Sequence, residues 1–168
     1  MTAKVSDQMI SNCSIKPFHP LKNAAKVASF GDHRKYYYNN KKVSESYHLG
    51  LDLASVKMGE IKTQNHGMTV FAEENGIYGN LPILHHGMGL YTIYGHCSSL
   101  ATAPGTAVKP DDKIANTGKS GYAMGDHLHF GVLVQGVEVR PEEWMDSDWI
   151  RLNITEVMKN AKKLIGKS

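Results

Sequence analysis

His127-Leu128-His129-Phe130-Gly131-Val132-Leu133-Val134-Gln135-Gly136-Val137-Glu138-Val139-Arg140 reads as a β-hairpin. An apolar run, His129 to Val134, meets a second run, Val137 to Arg140, at the turn pair Gln135-Gly136. Side chains on a strand alternate between faces. His127 and His129 therefore point one way and Leu128 the other. Far upstream, His48-Leu49-Gly50-Leu51-Asp52 uses the same device. In an extended segment His48, Gly50 and Asp52 share a face. Gly50 has no side chain, so the space between the two potential ligands stays empty.

Two same-face pairs from separate strands can converge on one ion. Only three of their four groups are needed as ligands. Catalytic zinc takes three protein ligands and a water, whereas structural zinc closes all four positions. The expectation is one zinc ion with an open coordination position and a spare imidazole beside it, the makings of a metallohydrolase. A non-haem iron site also uses two histidines and a carboxylate. Its usual local pattern has one residue between His and carboxylate, where this chain has three, so zinc is preferred.

Working outward, short apolar runs recur between glycines. They are Thr69 to Ala72, Leu81 to Leu84, Leu90 to Tyr94, Thr106 to Val108 and Lys113 to Ala115. Sixteen glycines punctuate the chain, and short strands with frequent turn signals predict a mainly β, antiparallel domain. Asn39-Asn40-Lys41-Lys42, after Tyr36-Tyr37-Tyr38, reads as another hairpin tip. Those tyrosines alternate between packing and solvent more readily than they form a binding platform. Residues 1 to 28 are polar and broken by Lys16-Pro17 and His19-Pro20, and read as a loose lead-in that packs on the domain. In the tail, Asn153-Ile154-Thr155-Glu156 resembles a capping box. Ile154, Val157, Met158, Ala161, Leu164 and Ile165 follow at helical spacing. This predicts a C-terminal amphipathic helix, packed on its own domain or on a partner. The division expected is a lead-in over 1–28, a domain over 29–149 and a helix over 150–168.

The 168 residues suffice for one domain with a core. Hydrophobic content of 41% and charged content of 21% fit a soluble globular protein. A formal charge of +3 suits contact with an anionic polymer but argues no nucleic acid partner. Two cysteines, Cys13 and Cys97, make no disulfide framework. Cys97 beside His96 points into packing by strand alternation, against a thiol nucleophile. Thr117-Gly118-Lys119-Ser120 lacks the earlier glycine of a phosphate loop, since position 113 is Lys. His19, His33, His66, His85 and His86 read as structural or surface residues, although His33 and His86 could line a groove. No stretch approaches a membrane span, and Met1 to Ser14 lacks the apolar core of a signal peptide.

The segment from Ser29 to Trp149 resembles the LytM/lysostaphin-type zinc endopeptidases that cut peptidoglycan peptides. The matching pieces are Ser29-Phe30-Gly31, His48 to Asp52, Gly79-Asn80, Gly89 to His96, Thr117-Gly118, Gly121, Gly125, His127 to Phe130 and Gly136 to Pro141. They follow in family order. Gly76 to Asn80 and Arg140 to Trp144 look closest to the Gram-negative, cell-shape-determining branch. Leu84-His85-His86-Gly87 departs from the family pattern, which often has Asp before His-Gly.

The resemblance implies roles. Its zinc ligands fall on His48, Asp52 and His129, and its two non-ligand histidines on His96 and His127. The implied fold is a small antiparallel sheet with loops framing a groove. The implied substrate is the peptide stems of peptidoglycan, cut with a single Zn2+ ion and no nucleic acid. The implied setting is periplasmic or facing the cell envelope, as a soluble fragment of a membrane-anchored protein. A homo- or heterodimer with a related LytM-domain protein is a further expectation. The rival expectation is a non-enzymatic scaffold that binds or activates other wall enzymes; such domains usually lack a ligand, and none is missing here.

Overall fold

The computed structural model describes residues 14–166. Cys13 and the first part of the expected lead-in lie outside the described residues. The strands are β1 (Ala25–Ala28), β2 (His33–Tyr38), β3 (Lys41–Tyr47), β4 (Leu51–Ala54), β5 (Glu60–Lys62), β6 (Gly67–Glu74) and β7 (Asn80–His85). They continue with β8 (Leu90–Gly95), β9 (Ser99–Leu100), β10 (Ala107–Val108), β11 (Lys113–Asn116), β12 (Leu128–Val134) and β13 (Val137–Val139). The main sheet has eight strands in the order β1-β4-β12-β8-β7-β6-β10, with β13 added to β12. β5-β11-β9 form a smaller sheet, and β2-β3 a separate hairpin. The pairings are antiparallel, so the mainly β, antiparallel expectation holds.

The turn chemistry acts as read from the sequence. Gln135 and Gly136 have φ of 52° and 85°, and Asn39 and Asn40 have 46° and 61°. Two successive left-handed residues make the hairpin turn whose twist matches the flanking strands, and Asn and Gly adopt it most readily.

Alternation then divides the main sheet into two faces. Leu51 and Leu53 of β4, Leu128, Phe130 and Val132 of β12, and Leu90 and Tyr94 of β8 build the principal core with Phe18, Ile61 and Trp144. Burying each large side chain contributes about 1.5–3 kcal/mol. Leu81, Ile83, Tyr91, Ile93 and Leu133 make a second cluster on the opposite face. Asp52 lies between Leu51 and Leu53, and His129 between Leu128 and Phe130. Both are therefore turned away from the principal core.

The lead-in is more firmly built in than its composition suggests. Phe18 is fully buried, its ring centroid 6.0 Å from that of Phe130. Its backbone N–H donates to Trp144 O at 3.0 Å. Strand β1 extends the main sheet beside β4.

The C-terminal helix is present but starts earlier than expected. After α1 (Pro141–Trp144), α2 (Ser147–Ile150) runs through a wider π-type turn, Arg151–Thr155, into α3 (Glu156–Leu164). Asp146 caps it, its Oδ1 accepting from the N–H of Asp148 at 2.8 Å and of Trp149 at 2.9 Å. Asn153 is not the cap. It sits mid-helix and its Nδ2 donates to Trp149 O at 2.9 Å. Trp149, Ile150 and Ile154 pack on the core, which draws the helix upstream of Asn153. Beyond Ile154 the apolar stripe is not covered by its own domain, for α3 buries no residue. The expected break before Ser29 follows directly on β1, and the one before Ile150 falls within the helix.

Candidate metal centre and groove

Strand register brings the first two ligands together. His129 of β12 is the direct cross-strand partner of Asp52 of β4, and of Gly95 in β8 on its other side. His129 Nδ1 lies 3.0 Å from Asp52 Oδ1. His48, in the loop entering β4, places Nε2 2.9 Å from His129 Nδ1 and 2.9 Å from Asp52 Oδ1. All three residues are buried, and together they form a His-Asp-His metal site.

Two glycines make the room. A Cβ at Gly50 would stand 2.5 Å from the His129 ring and 2.8 Å from Phe130 O. One at Gly95 would press on His129 Cβ at 3.1 Å.

The donor set fits a cation. His48 Nδ1 lies 2.8 Å from Ser29 O. A carbonyl only accepts, so Nδ1 carries the hydrogen and Nε2 presents a lone pair. A carboxylate oxygen and the nitrogens of His48 and His129 thus converge at about 3 Å, a spacing that a shared cation, or a proton on His129 Nδ1, bridges. Ligand atoms on a tetrahedral zinc with bonds of 2.0–2.2 Å stand about 3.3 Å apart. Burial opposes the charge on Asp52, but the imidazoles of His129 and His48 beside it outweigh burial and hold its carboxyl well below the usual range. Burial depresses the His129 pKa, against the attraction of Asp52, and favours the neutral imidazole a metal requires.

His96 and His127 join this site, their ring centroids 4.7 Å apart. His96 Nδ1 donates to Ser120 O at 2.9 Å, and His127 Nδ1 to Gly125 O at 2.9 Å. Each backbone carbonyl fixes the tautomer and leaves Nε2 bare. His127 Nε2 is 3.8 Å from Asp52 Oδ1. Burial depresses the His96 pKa to about 4. His96 has φ of 66°, a left-handed conformation that costs a non-glycine residue on the order of 1–3 kcal/mol. This kink after Gly95 aims His96 at the site. Cys97 turns inward instead, fully buried, with its thiol pushed up to about 12 by burial. A thiol in that state is no nucleophile.

A groove of about 620 Å³ passes over the centre, lined by Arg34, Tyr36, Asp52, His96, Tyr122 and His127 among others. Tyr36 on β2 and Tyr122 on the facing loop meet with ring centroids 6.3 Å apart. Neither His33 nor His86 joins its lining. His33 pairs with Glu45 at 3.0 Å and stacks on Tyr47. His86 is buried in the core, with Nδ1 2.8 Å from His66 O and Nε2 2.8 Å from Thr92 Oγ1.

Sequence reading missed three contributors. Arg34 Nη2 donates to Asp52 Oδ2 at 2.9 Å, yet a lone arginine beside a lysine looks like a solvated face. Tyr78, with its ring 5.1 Å from that of His129, sits in a short 3-10 turn that no periodicity marks. Ser120, part of the rejected phosphate-loop tripeptide, is a latch. Its carbonyl holds His96, and its hydroxyl donates to Cys97 O at 2.8 Å while accepting from Asn80 N at 2.9 Å.

Known proteins resemble this chain in sequence and fold. The chain is 31% identical over 94 residues to the DD-carboxypeptidase/endopeptidase Mpg of Neisseria meningitidis, covering 56% of this chain and 22% of that protein. It is 28% identical over 96 residues to the murein hydrolase activator EnvC of Escherichia coli, covering 57% of this chain and 23% of that one. Among solved structures, a zinc-containing peptidase from Vibrio cholerae superposes with a TM-score of 0.66 at 27% identity, covering 80% of this chain and 41% of that chain. The chain thus spans about a fifth to two fifths of these relatives. Residues 46–141 match Peptidase family M23, a span that holds every ligand and both neighbouring histidines, and the chain belongs to that family, the LytM/lysostaphin-type metallopeptidases.

Proposed function

We propose that this chain is a zinc-dependent endopeptidase that hydrolyses peptide crosslinks of peptidoglycan, between D-amino acids. The observation that carries the proposal is the convergence of the His48, Asp52 and His129 ligand atoms at 2.9–3.0 Å, at a groove lined by Asp52, His96 and His127. The names of its relatives, a DD-carboxypeptidase/endopeptidase and a zinc-containing peptidase, support the bond and the metal.

His48, Asp52 and His129 would hold the ion. Zinc so held supplies Lewis acidity at the scissile carbonyl and lowers the pKa of water to about 7. His96 and His127 carry the protons. Each offers a bare Nε2, so either can accept the proton of the attacking water. Once protonated, the same nitrogen becomes a donor, to the developing oxyanion or to the leaving amine. Burial holds His96 neutral. The groove holds an extended peptide, with Tyr36 and Tyr122 at its lip.

Envelope location follows from the substrate, and the cell-shape branch from the sequence around Gly76 to Asn80 and Arg140 to Trp144. The name of EnvC favours a second reading, a scaffold that activates other wall enzymes. Such a scaffold needs no intact ligand set, and this chain keeps one. The test is mass spectrometry of purified sacculi incubated with the protein, with and without a zinc chelator. Chelator-sensitive loss of crosslinked muropeptides, with matching monomers appearing, is the expected result. Unchanged sacculi with zinc bound would favour the scaffold.

A further inference from the structure

We propose that Arg34 is a positioning residue that keeps Asp52 a one-oxygen ligand and so preserves the open coordination position of the metal. The inference rests on the metal-site reading above. The two oxygens of Asp52 have separate employment. Oδ1 faces His48 and His129 at 2.9 and 3.0 Å, and Oδ2 accepts from Arg34 Nη2 at 2.9 Å. The Asp52 side chain is 9% exposed and that of Arg34 40%, so the carboxylate is fixed in the floor while the guanidinium reaches it from the groove. Arg34 comes from the β2-β3 hairpin, outside the main sheet. That hairpin is tied at its base to the same centre. Gly31 N–H donates to His48 O at 2.8 Å, and His48 N–H to Asp32 O at 2.9 Å. Tyr36, two residues along the strand from Arg34, meets Tyr122 across the groove.

A free carboxylate next to zinc can swing both oxygens onto it, and zinc accepts five ligands readily. The second oxygen would then take the place that water and substrate need. With Oδ2 held by a charge-assisted hydrogen bond, that motion is blocked. Metal affinity is a poor readout, since removing a cation beside the ion favours binding and freeing the carboxylate disorders its ligand.

The experiment is cobalt(II) substitution of the wild type, Arg34→Ala and Arg34→Lys, followed by visible spectra and turnover on sacculi. Arg34→Ala is expected to shift the intense bands of four-coordinate cobalt toward the weaker bands of five. Its kcat should fall ~10–100-fold, the usual loss when a partner of a metal ligand is removed, with KM little changed. Arg34→Lys, which keeps a cationic donor without the planar fork, should recover part of both. An Arg34→Ala spectrum and kcat equal to wild type would overturn the proposal. So would a lowered melting temperature with an unaltered spectrum, the mark of a purely structural tie. A wild type that takes up no metal would bring down the metal-site reading itself, and this inference with it.

Discussion

His129 and Asp52 face each other directly across the β12-β4 ladder. Their meeting is a matter of strand register rather than loop geometry. A one-residue slip of either strand would turn its own ligand into the apolar core and break the pair. The same pairing separates their work from that of His127, which lies one residue before β12 and bridges to Gly118.

That separation gives the first prediction. His129→Ala should lose both metal and activity, whereas His127→Ala should keep metal and lose ~10²–10⁴ in turnover, the usual worth of general acid–base catalysis. Elemental analysis beside a sacculus assay checks it. Equal zinc loss in the two variants would refute the division of labour.

Gly50 is held to glycine by crowding alone. Gly50→Ala puts a methyl group against the His129 ring and Phe130 O. The expected outcome is about 1–3 kcal/mol of destabilisation and a reduced zinc content. Denaturant unfolding and metal analysis measure both. A variant with full occupancy and wild-type stability would mean that the ring yields freely.

Acid should loosen the fold through His86. Burial pushes its pKa down to about 4, from an ordinary 6.5. The unfolded chain binds the extra proton between these values, so stability is full above pH 6.5 and declines as pH falls toward 4. The contribution is roughly 3 kcal/mol. Unfolding of wild type and His86→Gln at pH 7.5 and 5 isolates it. Identical pH slopes in the two would remove His86 from the account.

The far end of the C-terminal helix should be dispensable to the isolated domain. Leu164 is 88% exposed and α3 buries nothing. Truncation after Thr155 should shift stability by no more than ~1 kcal/mol, the scale of surface changes, and leave turnover intact. A large drop in melting temperature would show that α3 is packed in solution.

Much of this was legible from one sequence because it is written locally. Strands β6 to β8 and β10 to β13 fall where apolar runs meet turn residues. Asn39-Asn40 and Gln135-Gly136 announce hairpins by their tolerance of positive φ. The histidine motifs declare a metal by type and spacing. What stayed hidden depends on partners distant in sequence. Phe18 gains its place only when Phe130 and Trp144 surround it. Arg34 becomes part of the centre only when the hairpin folds over β4. The cap moved from Asn153 to Asp146 because Trp149 and Ile150 bury against the domain, and no capping rule sees that.

His48 and His129 lie 81 residues apart in the chain, with most of the sheet between them. Their union has a temporal side. A ribosome must release residue 129 before all three ligands exist in one molecule, and β12 must then insert between β4 and β8 before they meet. The centre therefore assembles only once β12 is in place, all at once, and a nascent chain stalled before β12 carries no assembled site.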